Sequence, residues 1–506
     1  MTALDGAARP AAVNRPMILA TVTTATTVVV LDMSITVIAL PHMQGGLSAT
    51  ADQIAWVMTS YIVAMTVMIA YSGWLASRIG RRRLFIASTI LFTAGALLSG
   101  TAASLEEMVV YRTLQGLAAA PAFPLSQAII LDAFPRERHG QALAYWGVGL
   151  MVAPVAGPVL GGYVTDLFNW RFVFFLGVPL GSVAVLLASK YVVDVGEDRQ
   201  RKFDWVGFLA LAAMLAAGQL MLDRGQRLGW FDSTEIVIEA AVVALGAYVL
   251  IVHMLTGRNP YLPPLLFLDR NYLIGLMFSF LVGTLVLSGN YVLTLFLQNV
   301  QGYPVMSAGV MLTPRALGTL AALYMVGRLI MHVDARLIIA VGFAASAVSA
   351  LMLTRITADI GAVPFSVASF VNGFGLGCIW APTMTLMFNT LPPAYRTEGA
   401  MLVNLVRSYG SGLGISIAAV VLARSHAIAY AELSEHITLF REALQLPDAG
   451  GRWSLETASG LAALGDEVSR QAFMFGILNN FLWASAAAAV AAPLAFMFRR
   501  RAGSAA

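Results

Sequence analysis

Charge is what this sequence has least of. Asp, Glu, Lys and Arg together make up 11% of its 506 residues, against 58% hydrophobic. A water-soluble globule cannot hide that much apolar surface, so soluble enzymes and binding modules are excluded and a polytopic membrane protein remains. Cys378 is the only cysteine, which excludes a disulfide framework and any cysteine-cluster metal site. The six histidines (His42, His139, His253, His332, His426 and His436) are scattered without ligand or triad spacing. Neither an enzyme, a metal nor a cofactor is therefore expected. The stretch before Met17 lacks a short apolar leader with a cleavage site, so no removable signal peptide is expected. A net charge of +4 is no nucleic-acid footprint, because its placement matters more than its sum.

What is abundant is apolar runs of spanning length. Windows of about 20 residues predict helices near 17–41, 54–76, 84–104, 107–130, 140–163, 171–193, 206–222, 234–256, 273–297, 306–330, 336–355, 363–390, 398–423 and 473–498. Positive charge tests the count independently. With a cytoplasmic N-terminus, the inside connections hold 20 Lys and Arg, among them Arg78, Arg81, Arg82, Arg83, Arg328, Arg336, Arg396 and Arg499 to Arg501. The short outside connections hold only Arg171, Arg224, Arg227 and Arg355. That bias requires an even number of spans with both ends inside. A charged linker is expected at about 191–205, and a long polar outer segment at about 424–472 reads as a cap over the last helices or a docking surface.

Within the runs, ionisable residues are costly and mark function by default. The stretch Leu31-Asp32-Met33-Ser34-Ile35 closes the first span, and Asp32 is its only acid. Arg112 lies in span four, in Arg112-Thr113-Leu114-Gln115-Gly116. Asp32 lies ~22 Å along an outward-going helix and Arg112 ~8 Å below the outer face of an inward-going one, at a rise of about 1.5 Å per residue. With a core of about 30 Å the two depths match, so an ion pair is allowed. Arg315 and Arg407 each sit ~14 Å deep, near the midplane. Asp32 reads as the one comparably deep acid, which makes the interior net positive. Asn290, Tyr291, Gln298, Asn372, Trp380 and Asn404 are polar or aromatic residues placed to line a cavity or to pack between helices.

Three motifs go further. Gly73-Trp74-Leu75-Ala76-Ser77-Arg78-Ile79-Gly80-Arg81-Arg82-Arg83 resembles the signature loop of the major facilitator superfamily, with Ser77 where the family usually has Asp. Gly327-Arg328-Leu329 with Asp334 and Arg336 is a weak echo after span ten. Gly157-Pro158 followed by Gly161-Gly162 resembles the motif of the antiporter branch, although Ala144 and Ala153 replace two of its glycines. With Trp170-Arg171-Phe172, Asp204-Trp205-Val206-Gly207, Pro314-Arg315-Ala316-Leu317-Gly318 and Thr397-Glu398-Gly399, these resemble the fourteen-helix drug:proton antiporters of the EmrB/QacA type. The long outer segment places the chain nearer the EmrB and FarB side.

The resemblance implies an all-α major facilitator fold: two six-helix bundles plus two inserted helices, with both termini cytoplasmic. The boundaries expected are an N-terminal bundle at 1–193, a linker with two extra helices at 194–271, and a C-terminal bundle at 272–506. It implies proton-coupled multidrug efflux by alternating access across the cytoplasmic (inner) membrane of a bacterium. Asp32 and Arg112 would handle protons. Arg315, Arg407, Asn290, Tyr291, Asn372, Trp380 and Asn404 would line the substrate cavity. Gly73, Gly80, Arg81, Gly157, Pro158, Gly161 and Gly162 would shape the conformational motifs. The energy source would be the proton gradient, with no cofactor. A periplasmic adaptor of EmrA type and an outer-membrane channel are the partners implied. Without the acids that cation exporters carry in their second half, neutral, amphipathic or weakly acidic compounds are expected as cargo. A dedicated lipid, fatty-acid or metabolite exporter of the same fold is the alternative.

Overall fold

With no water in a bilayer core, each apolar segment must satisfy its backbone internally, and the chain does so as helices. The computed structural model describes residues 14–193, 204–225, 228–257, 262, 264–357, 360–392, 395–437 and 457–499, and among them there is no strand. Among the described residues, fourteen helices are long and apolar enough to cross a membrane. In chain order they are α1 (Arg15–Gly46), α2 (Gln53–Ile79), α3 (Arg81–Thr101), α4 (Leu105–Ala133), α5 (His139–Thr165), α6 (Phe172–Tyr191) and α7 (Trp205–Arg224). They continue as α8 (Thr234–Thr256), α9 (Arg270–Val300), α10 (Ser307–Leu329), α11 (Ala335–Leu353), α12 (Ala362–Thr390), α13 (Glu398–Glu435) and α14 (Ala458–Met497). Each expected span falls on one of them.

The helix ends follow from local chemistry. Thr50 and Gln53 form a reciprocal capping box at the start of α2. Ser104 caps α4, whose first turn carries Glu106 and Glu107 against the positive end of the helix dipole. Asp334 caps α11 and pairs with Arg336, so the weak echo of the signature loop is a helix start. Prolines interrupt three spans, among them α10, where Pro314 follows the break at Leu312. Pro121 divides α4 into Leu105–Ala119 and Ala122–Ala133. Pro154 follows the break at Met151 in α5, where the ring removes a backbone donor.

The chain divides into two units, Met1–Trp205 with Pro392–Met401, and Val206–Leu391 with Leu402–Ala506. Each repeats one packing scheme. In the first unit α4 packs on α2 and α3, α6 on α3 and α1, and α5 on α1. In the second, α12 packs on α10 and α11, and α14 on α11 and α9. Gly410 and Gly414 of α13 meet Phe280 and Thr284 of α9, which matches the α5–α1 contact. The inserted α7 attaches to α13, where the Tyr409 hydroxyl bonds to the Met214 and Leu215 carbonyls at 2.8 and 2.9 Å.

In the expected outer segment, residues 424–435 continue α13 and 458–472 open α14. The 38 residues of α13 extend ~57 Å, about twice the hydrocarbon core. Beyond the core the two helices pair: Asn479 donates to Ser425 Oγ at 3.0 Å, and His426 Nε2 lies 3.2 Å from Ser469 Oγ. Hydropathy falls at the membrane surface, but helical hydrogen bonding continues past it. Residues 438–456 of the expected outer segment, and 194–203 of the charged linker, lie outside the described residues.

Candidate functional site

The site is built on one helix face of α1. Asp32, Ile35, Thr36 and Ala39 are all buried there, at helical spacing. Arg112 of α4 enters this face and is fully enclosed, while Asp32 is 8% exposed. Arg112 Nη1 donates to Asp32 Oδ2 at 2.8 Å, and Gln115 Nε2 donates to the other oxygen, Oδ1, at 2.9 Å. Arg112 Nη1 also donates to Gln115 Oε1 at 2.7 Å, and Nη2 donates to Thr36 Oγ1 at 3.2 Å. The rings of Tyr61 (4.5 Å) and Phe174 (5.4 Å) flank the guanidinium. A buried ion pair is tolerated only when its remaining donors and acceptors are satisfied, and Gln115 and Thr36 do this.

Neighbouring helices lock the network. Gly95 of α3 lets α4 approach: a Cβ there would lie 2.9 Å from Gln115 Cβ. Gly157 of α5 does the same beside Asp32, because a Cβ would stand 2.6 Å from Ser34 Cβ. Gly161 meets Ile35 one turn further on. The antiporter-like glycines thus let α5 lie directly on the segment that carries Asp32; the Pro158 side chain lies outside the described residues.

The signature loop forms a second cluster in the first unit. Gly80, at φ 91°, makes the turn between α2 and α3. Arg81 then forms an ion pair with Asp132 near the end of α4. Arg396 donates to the Leu131 carbonyl at 2.8 Å and to Asp132 Oδ1 at 3.3 Å, and Arg15 donates to the Ala133 carbonyl at 3.1 Å. Three arginines therefore cap one helix C-terminus, where carbonyl oxygens and a carboxylate are exposed together. Ser77 turns its hydroxyl back to the Trp74 carbonyl at 2.8 Å. Gly73 packs near Met401 and Glu398 at ordinary contact distance.

In the second unit the expected cavity residues divide into two sets. Arg315, 7% exposed, donates to Asn290 Oδ1 and, at 3.3 Å, to the Val286 carbonyl. Among the described residues it pairs with no carboxylate. Arg407 donates to Asn404 Oδ1 at 2.9 Å and, with Trp380, Thr383, Met384, Phe278 and Ser279, lines a small recess. Tyr291 instead packs against the apolar cluster around Val292 and Phe296. Asn372 is half-buried beside Gly373, whose α-carbon faces the Arg315 backbone.

A family model described as Major Facilitator Superfamily matches residues 22–415. The chain belongs to the major facilitator superfamily. Within it, the chain is 32% identical over 465 residues to "Multidrug export protein EmrB" of Haemophilus influenzae, with 91% of each chain covered. It is 33% identical over 470 residues to the Escherichia coli K12 protein of the same name, again at 91% of each. "Fatty acid resistance protein FarB" of Neisseria gonorrhoeae is 30% identical over 475 residues, covering 92% of this chain and 93% of that one. The chain is thus an EmrB-type member of the superfamily. A solved structure of the human organic anion transporter MFSD10 shares the fold, with a TM-score of 0.61 at 13% identity over 95% of this chain and all of that one.

Gln115 and Tyr61 did not stand out in the sequence. A glutamine three residues after Arg112 shares its helix face, and that spacing was the available signal. Tyr61 lies in an apolar window like any other aromatic residue.

Proposed function

We propose that this major facilitator protein is a proton-coupled multidrug exporter in the cytoplasmic (inner) membrane of a bacterium, carrying amphipathic, neutral or weakly acidic compounds outward by alternating access. The enclosed Asp32, bonded on both oxygens to α4, carries this reading. An Asp has an unperturbed pKa of about 3.9 and is charged in water at neutral pH. Inside the protein, the Asp32 carboxylate is instead bonded to Arg112 and Gln115. A cycle that moves Asp32 between these surroundings takes up a proton on the outer side, freeing Arg112, and releases it inside when the pair re-forms.

The charge balance supports the cargo class. The first unit's buried arginine has its carboxylate, whereas Arg315 in the second has amide and carbonyl partners. Arg407 borders a small recess beside Trp380 and Phe278, where a cation adjoins aromatic surface, the pairing of groups that an amphipathic compound with at most one negative charge would use. Relatives named for multidrug export and fatty-acid resistance fit the same class. The FarB likeness also favours one second reading, a dedicated fatty-acid exporter. A periplasmic adaptor of EmrA type and an outer-membrane channel complete the proposed route.

Susceptibility panels in a pump-deficient strain separate these readings. Broad resistance with wild type, abolished by Asp32→Asn and narrowed for acidic compounds by Arg407→Ala, supports multidrug export. Protection against fatty acids alone identifies the dedicated exporter, and a preference for permanent dications over organic anions contradicts the cargo class.

A further inference from the structure

The two inserted helices hold a carboxyl that the Asp32 network does not use. Glu235, in the first turn of α8, forms an ion pair with Arg224, the last residue of α7. One turn further along α8, Glu239 is 9% exposed, and its Oε2 is enclosed without a hydrogen-bond partner. Residues 235, 239 and 246 fall within about 40° of one another around the helix, at about 100° per residue. That face is turned to α7: a Cβ on Gly246 would lie 2.9 Å from the Ala210 carbonyl and 3.0 Å from Met214 Cβ. Glu239 therefore sits between the close helix contact at Gly246 and the Arg224–Glu235 pair. It lies ~8 Å below the outer end of α8, which is the depth expected for Arg112. The sequence reading of Asp32 as the one deep acid is corrected here. A single glutamate near the start of an apolar run looks like a helix-start residue until its partner face is known.

Among the described residues, the charges at this end of the two helices are Asp223 and Arg224 on α7, Asp232 in the turn Trp230–Asp232, and Glu235 and Glu239 on α8; Arg227 lies outside the described residues. Among the described residues one guanidinium thus stands beside two carboxyls on the α8 face, and it is ion-paired with Glu235. A second ionised carboxylate, enclosed and without a donor, is far costlier in a low-dielectric setting than the neutral acid.

We propose that Glu239 is a second proton-binding carboxyl, holding its proton in the enclosure beside the Arg224–Glu235 ion pair. It gives the inserted helix pair a proton site on the outer side, separate from Asp32 and independent of the cargo. Release is a simple dissociation, in which the O–H bond breaks and the proton passes to outer water while Arg224 balances the carboxylate left behind.

Infrared difference spectroscopy of the full-length protein in liposomes at neutral pH tests this without any transport assay. Subtracting the Glu239→Gln spectrum from wild type should leave a protonated-carboxyl band, lost entirely in the variant and unaffected by Asp32→Asn. Glu235→Gln, which hands Arg224 to Glu239, should move that band to the carboxylate position. Should Glu239→Gln fail to fold, Glu239→Asp should shift the band instead. A carboxylate band in the wild-type difference, or an acid band indifferent to every change at Glu239, overturns the proposal.

Discussion

Asp32 and Gln115 are joined by a 2.9 Å hydrogen bond from the amide Nε2 to Oδ1, and Arg112 takes the other carboxylate oxygen at 2.8 Å. The amide therefore belongs to the same hydrogen-bonded network as the ion pair and is not a bystander in α4. Gln115→Leu removes one of two donors to the carboxylate. A hydrogen bond to a charged group contributes about 1.5–3 kcal/mol, so coupled transport should fall by roughly tenfold or more. Initial rates in proteoliposomes, normalised to reconstituted protein, check this; an unchanged rate removes Gln115 from the network.

Gly157 touches the same segment from the other side. Gly157→Ala would set a Cβ 2.6 Å from Ser34 Cβ and force α1 or α5 to shift beside Asp32. Transport should drop severalfold while membrane insertion is retained. Gly45→Ala is the control, because a Cβ there meets nothing within 4 Å. Equal effects of the two changes would show that the close α5–α1 approach has no role.

Asp132 serves both Arg81 and Arg396. Asp132→Asn keeps the shape but removes the charge they share, and should cost about 1–3 kcal/mol. A thermal unfolding series with Asp132→Asn, Arg396→Ala and the double variant should show non-additive losses, as expected for groups in one network. Strict additivity would place Arg396 outside it.

Tyr409→Phe deletes the hydroxyl that accounts for two α7 carbonyl contacts. A loss of about 0.5–1.5 kcal/mol is expected, because one hydroxyl hydrogen is shared between the two carbonyls, with transport retained, because the contact anchors an inserted helix. Melting temperature and substrate efflux measured on one preparation distinguish the two effects.

Much of this was legible in the residues. Apolar length and arginine placement gave the fourteen spans, because a bilayer demands both. Equal depth paired Asp32 with Arg112 before any contact was known. Gln115 escaped because an uncharged amide carries no burial cost that singles it out, and Glu239 because its significance depends on which side of α8 meets α7. The outer ends of α13 and α14 escaped because hydropathy reports the membrane boundary, whereas backbone hydrogen bonding sets where a helix stops. Arg396 was counted only as a positive-inside charge, since nothing local links it to Asp132, 264 residues away.

The central claim is that Asp32 carries the coupled proton. Its most direct test is substrate-driven proton movement in proteoliposomes reconstituted with wild type or Asp32→Asn, followed with an internal pH indicator. Proton movement on substrate addition should be present in wild type and abolished in Asp32→Asn, while substrate binding to the variant persists. Full substrate-driven proton exchange by Asp32→Asn would contradict it.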